Sequence, residues 1–110
     1  MSEIAVPLPT RDQFAANANS IFCAPLADGA IAEFALVKIS DIAETAHTRS
    51  FSLLFRAPTD LPAVQTTYRL EHEMLGNLDL FLVPVRSDAD GTYFESVFNF
   101  LKTQAVSSED

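Results

Sequence analysis

Glycine is scarce in this chain, with only Gly29, Gly76 and Gly91 among 110 residues. Dinucleotide and triphosphate sites use loops in which closely spaced glycines bring the backbone to the phosphates, so both fingerprints are excluded. No serine stands in the glycine-flanked turn of a hydrolase nucleophile, and no pair of acidic residues marks a pocket. We predict that the protein is not an enzyme and has no catalytic residue, cofactor or metal.

Cysteine is nearly absent as well, and no segment is typical of export or membrane insertion. The single cysteine, Cys23, excludes an internal disulfide bond. The starting residues, MSEIAVP, lack the basic and apolar regions of a secretion signal. No apolar run approaches the roughly 18 residues that span a bilayer. We expect a cytoplasmic protein that does not enter a membrane.

Positive charge is sparse, and the formal net charge is −8. The basic residues occur singly, as Arg11, Lys38, Arg49, Arg56, Arg69, Arg86 and Lys102. Nucleic acids and anionic membranes bind to clustered positive charge. We therefore expect no nucleic-acid partner and no membrane partner.

What the chain does contain is apolar: 48% of its residues, among them nine Phe. At this length, that content is enough for one continuous core. We predict a single β domain over residues 10–100. Residues 1–9, with Pro7 and Pro9, are predicted to be an extended segment, and the polar, acidic residues 101–110 a disordered tail.

One short helix is predicted near the start of the domain. Thr10 and Gln13 have the spacing of a capping box, and Asp12 lies in the first turn, where the helix dipole favours an anion. Phe14 supplies most of a modest apolar stripe. We expect this helix to end near Asn19.

Beyond the helix the apolar pattern alternates, which is typical of strands. Six strands are predicted, at about 20–24, 31–40, 50–57, 66–74, 78–86 and 92–100. Turn-prone segments separate them, and no long helix is available for parallel crossovers. The pattern predicts a mainly β fold, a small antiparallel barrel or sandwich of about six strands; the choice between barrel and sandwich stays open.

Gly76-Asn77 is interpreted as the two-residue loop of a type II′ hairpin turn. Counting outward from this turn pairs Leu75 with Leu78, and further out it sets His72 against Phe81, Leu70 against Val83 and Tyr68 against Val85 on one face. That face is predicted to be core. The register is strongly specified, because a slip by one residue would bury Arg69, Glu71 and Glu73.

This register leaves leucines on the outside of the predicted sheet. Leu80 and Leu82 would lie beside Glu73 and Glu71, and Leu54 would point outward from its own strand. These five residues form our candidate protein-interaction face. The alternative is that the N-terminal helix covers the leucines through Phe14. We favour this cover over an exposed binding surface, because a lone helix must bury its apolar stripe.

Other chemistry-bearing residues favour structural roles. Cys23 with His47 or His72 could form a thiol site, yet the neighbours of Cys23 are core-like, so we predict a buried structural cysteine. In Glu71-His72-Glu73 a strand points the imidazole away from both carboxylates, which favours a core-edge histidine against Phe81.

The segment Asp88-Ala89-Asp90-Gly91 begins like a calcium loop. An EF-hand loop requires Gly at its sixth position and Glu at its twelfth, but Tyr93 and Asn99 stand there. We interpret the segment as a hairpin turn whose carboxylates bond nearby amides, with Gly91 at positive φ.

Several segments carry a family resemblance. They are Phe51–Pro58, Tyr68–His72, Leu75-Gly76, Leu80–Val85, Phe14-Ala15, Glu95 and Val97–Asn99. Together they resemble an uncharacterised bacterial family, the domain of unknown function numbered 6916. The family has no assigned activity, so the resemblance implies kinship and no functional residue. It also implies an assembly or accessory role beside phage-tail-type collar or fibre proteins.

Two functions therefore compete. The first is a non-catalytic protein-binding or assembly module, whose leucine face or exposed strand edge joins a second copy or another protein. The alternative is a small-ligand-binding barrel or an unrecognised enzyme, with Tyr68, Arg69 and His72 as polar contacts at the barrel mouth. We favour the first, because nine phenylalanines are enough to fill a small barrel.

Overall fold

The structure is a computed structural model that describes residues 9–101, without the side chain of Leu101. Its elements are α1 (Arg11–Ala16), β1 (Ile21–Pro25), β2 (Ile31–Ile39), β3 (Ala43–Glu44), β4 (Thr48–Ala57), β5 (Thr66–His72), β6 (Gly76–Asp88) and β7 (Gly91–Leu101). The predicted extended segment before Pro9 and the predicted tail after Leu101 lie outside the described residues.

The strands form a closed antiparallel barrel. Neighbours follow the order β2-β1-β5-β6-β7-β4-β3, and a further pairing of β2 with β4 closes the ring of six. The two-residue β3 adds to the edge of β4. The predicted mainly β fold with one short helix is confirmed, and the choice left open falls on the barrel.

All six predicted strands are present within two residues of the predicted bounds. The short β3 was not predicted, because it lies inside the segment expected to be a turn, residues 41–49. A turn between Thr45 and Thr48 joins β3 to β4: the Thr48 amide donates to Thr45 Oγ1 (3.0 Å), and the two hydroxyls lie 2.7 Å apart. These hydrogen bonds in the turn hold β3 beside β4, although the two residues of β3 are too few to show an alternating apolar pattern.

Helix α1 begins as predicted. Thr10 is the N-cap, and the capping box is complete: Thr10 Oγ1 accepts the Gln13 amide, and Gln13 Oε1 accepts the Thr10 amide. The helix ends at Ala16, earlier than expected, with Asn17 as its C-cap. Phe14 is fully buried against Phe98, with 5.6 Å between ring centroids. The helix therefore closes one end of the barrel, which we call the helix end.

Phenylalanine rings fill the barrel interior. Phe22, Phe34, Phe55 and Phe94 are fully buried. Phe34 contacts Phe55 and Phe94 in edge-to-face geometry, with centroids 6.4 and 5.5 Å apart. Each buried ring contributes about 1.5–3 kcal/mol of apolar burial. Phe100, by contrast, lies at the helix end of β7 and is exposed.

The hairpin between β5 and β6 is not the one predicted. The turn is Glu73–Leu75, and Gly76, at φ 80°, begins β6 opposite His72. Leu70 therefore pairs with Leu78 and not with Val83, a shift of five residues along β6. An odd shift exchanges the two faces of a strand. The prediction was right for the inward face of β5. Beyond Leu78 it was wrong for β6, where Leu80 and Leu82 point inward and Phe81 points outward.

The hairpin between β6 and β7 is the one predicted. Asp88 pairs with Gly91, and Asp88 Oδ1 accepts the amide of Asp90 at 2.8 Å. Gly91 has φ 153°, and a Cβ at this position would overlap the carbonyl oxygen of Ala57. This glycine is required by close backbone packing as well as by its dihedral angle.

Replacing this glycine tests the packing of the barrel at that hairpin. Gly91→Ala is expected to lower the free energy of unfolding by about 2–3 kcal/mol, because the new methyl group meets fixed backbone. Gly29→Ala is the matched control, since Gly29 also has positive φ but a methyl group there would meet nothing within 4 Å; it should cost about 1 kcal/mol. Urea unfolding measures both, and equal losses would contradict the role of packing at Gly91.

Candidate functional site

The predicted interaction face does not exist as a surface. Leu80 and Leu82 are 3% and 0% exposed and point into the barrel, because the register of β6 differs from the predicted one. Leu54 points outward and is half-buried, as expected. Glu71 and Glu73 are exposed, as expected, but they do not flank the two leucines on a shared surface.

The predicted cover of that face by the helix is also wrong. Phe14 is part of the core at the helix end of the barrel and contacts Phe98 there. No apolar residue of α1 other than Phe14 is buried among the described residues. The outward surface of β4, β6 and β7 is therefore not covered through Phe14.

A different apolar surface lies on the outside of the barrel, on β4, β6 and β7. We call Leu54, Phe81, Val83 and Val97 the outer face. Glu95 pairs with Val83 on one side and with Leu54 on the other. Two residues further along, Phe81 on β6 and Val97 on β7 are 51% and 62% exposed. The sequence correctly predicted that Leu54 points outward, but it wrongly predicted Phe81 and Val83 in the core.

A fixed polar cluster borders the outer face near the hairpin between β6 and β7. The Arg86 guanidinium lies 3.8 Å from the centroid of the Tyr93 ring and 3.1 Å from Asp88 Oδ2. The pKa of Asp88 is lowered, chiefly because its carboxylate accepts the Asp90 amide, with smaller contributions from Tyr93, Gly91 and Arg86. These contacts hold Tyr93 in place, only 7% exposed, on an outward position.

His72 is a buried histidine with both ring nitrogens engaged. Nδ1 accepts the amides of Met74 and Leu75, at 3.0 and 3.1 Å, so the proton of the neutral ring lies on Nε2. Nε2 then donates to Ser20 Oγ at 2.8 Å, and that hydroxyl donates to the carbonyl of Asn17. The ring packs on Phe22 at 4.3 Å between centroids, and not against Phe81 as predicted.

The possible thiol site is not assembled. Cys23 points outward from β1, where it pairs with Glu33 on β2 and with Glu71 on β5. Its side chain is half-buried, whereas a buried cysteine was predicted. His72 points into the barrel, and His47 is exposed in the turn before β4. Residues 9–101 contain no group of three or more His, Cys, Asp or Glu placed to hold a metal ion.

The three polar contacts of the ligand-binding alternative are also apart. Tyr68 lies inside the barrel against Phe34, and its hydroxyl donates to the carbonyl of Val64. Arg69 points outward and pairs with Asp79 at 2.9 Å. His72 lies at the helix end of the same strand. The structure brings no two of these three together in one site.

Comparison with known proteins gives a family but no relative of known activity. The family model described as Domain of unknown function (DUF6916) matches residues 9–98. No curated protein and no solved structure matches the chain. Within the described part of the chain, no helix is long and apolar enough to cross a membrane.

The buried imidazole predicts a pH dependence of stability. Burial lowers the pKa of His72, although the carboxylate of Glu73 opposes the shift. The unfolded chain then binds the proton more tightly than the folded one. The contribution of the neutral ring is complete above pH 6.5, the ordinary pKa, and is lost as the pH falls through the folded pKa. The free energy of unfolding should therefore decrease below about pH 6.5.

His72→Phe keeps the ring on Phe22 but leaves two turn amides and Ser20 without their partner. It is expected to cost about 1–3 kcal/mol near pH 7 and to weaken this pH dependence. His47→Phe, in the exposed turn before β4, is the control and should leave both nearly unchanged. An unaltered pH profile in His72→Phe, measured by urea unfolding at several pH values, would contradict the assignment of this pH dependence to His72.

Proposed function

We propose that this chain, which belongs to the family described as Domain of unknown function (DUF6916), is a non-catalytic protein-binding or assembly module. The observation that carries the proposal is the outer face. Phe81 and Val97 are each more than half exposed on neighbouring strands of a barrel whose interior is already filled. Large exposed apolar side chains grouped on one surface are typical of protein-binding sites.

The contents of the barrel support a surface function over a ligand-binding one. Phe22, Phe34, Phe55 and Phe94 fill the interior, and Phe14 closes the helix end. Small-molecule sites are usually concave and lined by a few convergent polar groups. The ring nitrogens of His72 and the hydroxyl of Tyr68 are instead bonded to nearby backbone and to Ser20.

The rigidity of the outer face also supports binding. Val83, Leu54 and Glu95 belong to paired strands, and the Arg86–Tyr93 stack fixes the adjoining border. A surface that is held in one conformation loses little entropy when a partner covers it.

We propose a more specific biological setting on other grounds. The family resemblance suggests an accessory of a phage-tail-like structure in bacteria, and the single cysteine fits a reducing cytoplasm. The net charge of −8, with basic residues set singly, favours a protein partner over a nucleic acid or an anionic membrane.

Site-specific photo-crosslinking tests the proposed function. A photoreactive phenylalanine at position 97 is expected to give a discrete adduct with a protein identified by mass spectrometry, in the cells that naturally produce the chain. The same probe at Ile31, which is also exposed but lies on β2, is the matched control.

Phe81→Asp should abolish the adduct at position 97, because a charge would be placed in the centre of the contact. Equal adducts at positions 31 and 97, or an adduct that survives Phe81→Asp, would overturn the outer face as the binding surface. Circular dichroism of Phe81→Asp checks that the fold is retained.

A further inference from the structure

We infer that the outer face binds a second copy of this chain, related by a two-fold axis, with Arg56 of each copy paired to Glu95 of the other. The inference rests on the proposed function, because it names the partner of the same surface. Three observations carry it: an acid without a partner within residues 9–101, a base without one in the same range, and their placement on one apolar surface.

Glu95 is a half-buried carboxylate in apolar surroundings. It lies between Val83 and Leu54 across the sheet, with Val97 two residues further along β7. Its side chain makes no hydrogen bond and no ion pair with any residue in the range 9–101. A carboxylate that loses water in such a place gains strongly from a cationic partner.

Arg56 differs from the other arginines of the described chain. The others, Arg11, Arg49, Arg69 and Arg86, each pair with a carboxylate. Arg56 has no such partner within residues 9–101, and it is half-buried. Arg56 is paired with Tyr93 on β7 and with Ala35 on β2. Neither residue carries a negative charge that could neutralise the guanidinium.

The two unpaired charges share one face of the sheet. Arg56 pairs with Tyr93, and Glu95 is two residues along β7 from Tyr93, so the two charges are diagonal neighbours on the outward side. Their surroundings are the outer face and the Tyr93 ring. The surface therefore carries Glu95 and Arg56 beside an apolar patch, with the exposed Lys38 at its edge on β2, opposite Leu54.

Such a surface is complementary to itself. A two-fold axis brings each residue i against residue j of the other copy, so one acid and one base form two equal ion pairs. A purely basic partner would satisfy Glu95 but would repel Arg56. Because each copy carries a net charge of −8, these local pairs also offset the repulsion between copies.

Charge reversal with rescue tests the inference. Sedimentation and light scattering of the purified chain, from micromolar to millimolar, are expected to show a particle of twice the 12.0 kDa chain mass. Arg56→Glu and Glu95→Arg should each raise the dimer Kd by about tenfold or more, since each reversal opposes like charges twice.

Two combinations should restore the dimer. The double variant Arg56→Glu/Glu95→Arg exchanges the charges and keeps the net charge of the chain. An equimolar mixture of the two single variants should form a heterodimer, because each position then faces its opposite charge. Glu71→Arg, at an exposed position of β5, makes the same change of net charge as Glu95→Arg; it is the control and should leave the Kd within about twofold.

The other outcomes separate the failure of the ion pair, of the second copy and of the proposed function. A dimer that loses stability with Phe81→Asp but ignores both reversals overturns the Arg56–Glu95 pairing. A monomer at every concentration, with a crosslink from position 97 to a different protein, overturns the second copy while the proposed function stands. A monomer without any crosslink from position 97 overturns both.

Discussion

Two hydrogen bonds to Nδ1 of His72, from the amides of Met74 and Leu75, are the contact on which the rest of the structure depends. They hold the turn at Glu73–Leu75 and so set the register between β5 and β6. That register places Leu78, Leu80 and Leu82 in the core and Phe81 on the outside. The other ring nitrogen binds Ser20, whose hydroxyl donates to Asn17 just after the helix. One side chain therefore links the turn after β5 to the segment that joins α1 to β1.

The interior of the barrel and its outer surface differ in chemistry. Inside, aromatic rings and leucines occupy the barrel, and the polar groups of His72 and Tyr68 are satisfied by backbone and by Ser20. Outside, β4, β6 and β7 present apolar side chains together with Glu95 and Arg56. The core accounts for stability, and the outer face is the surface on which the proposed binding role rests. A fold alone does not determine function, so the proposed binding role is argued from these few surface residues.

Most of the fold follows from local sequence signals. The alternating strands, the capping box at Thr10 and the Asp88–Gly91 hairpin were all predictable, because each depends on residues close together in the chain. The turn after β5 was not. Gly76-Asn77 has the composition of a two-residue turn, whereas the observed turn depends on an imidazole whose position is fixed by Phe22 and Ser20, about fifty residues away in sequence. Because the resulting shift is odd, one error in the turn exchanged the core and surface leucines. The outward position of Leu54 was predictable from alternation, but the outward positions of Phe81 and Val83 were not.

Nuclear Overhauser effects between β5 and β6 of the unmodified protein test this register most directly. We expect cross-strand backbone contacts between Leu70 and Leu78 and between Tyr68 and Leu80, since these residues are paired. Contacts of Leu70 with Val83 and of His72 with Phe81 would instead show a turn at Gly76-Asn77. That result would return Leu80 and Leu82 to the surface and would contradict the existence of the outer face.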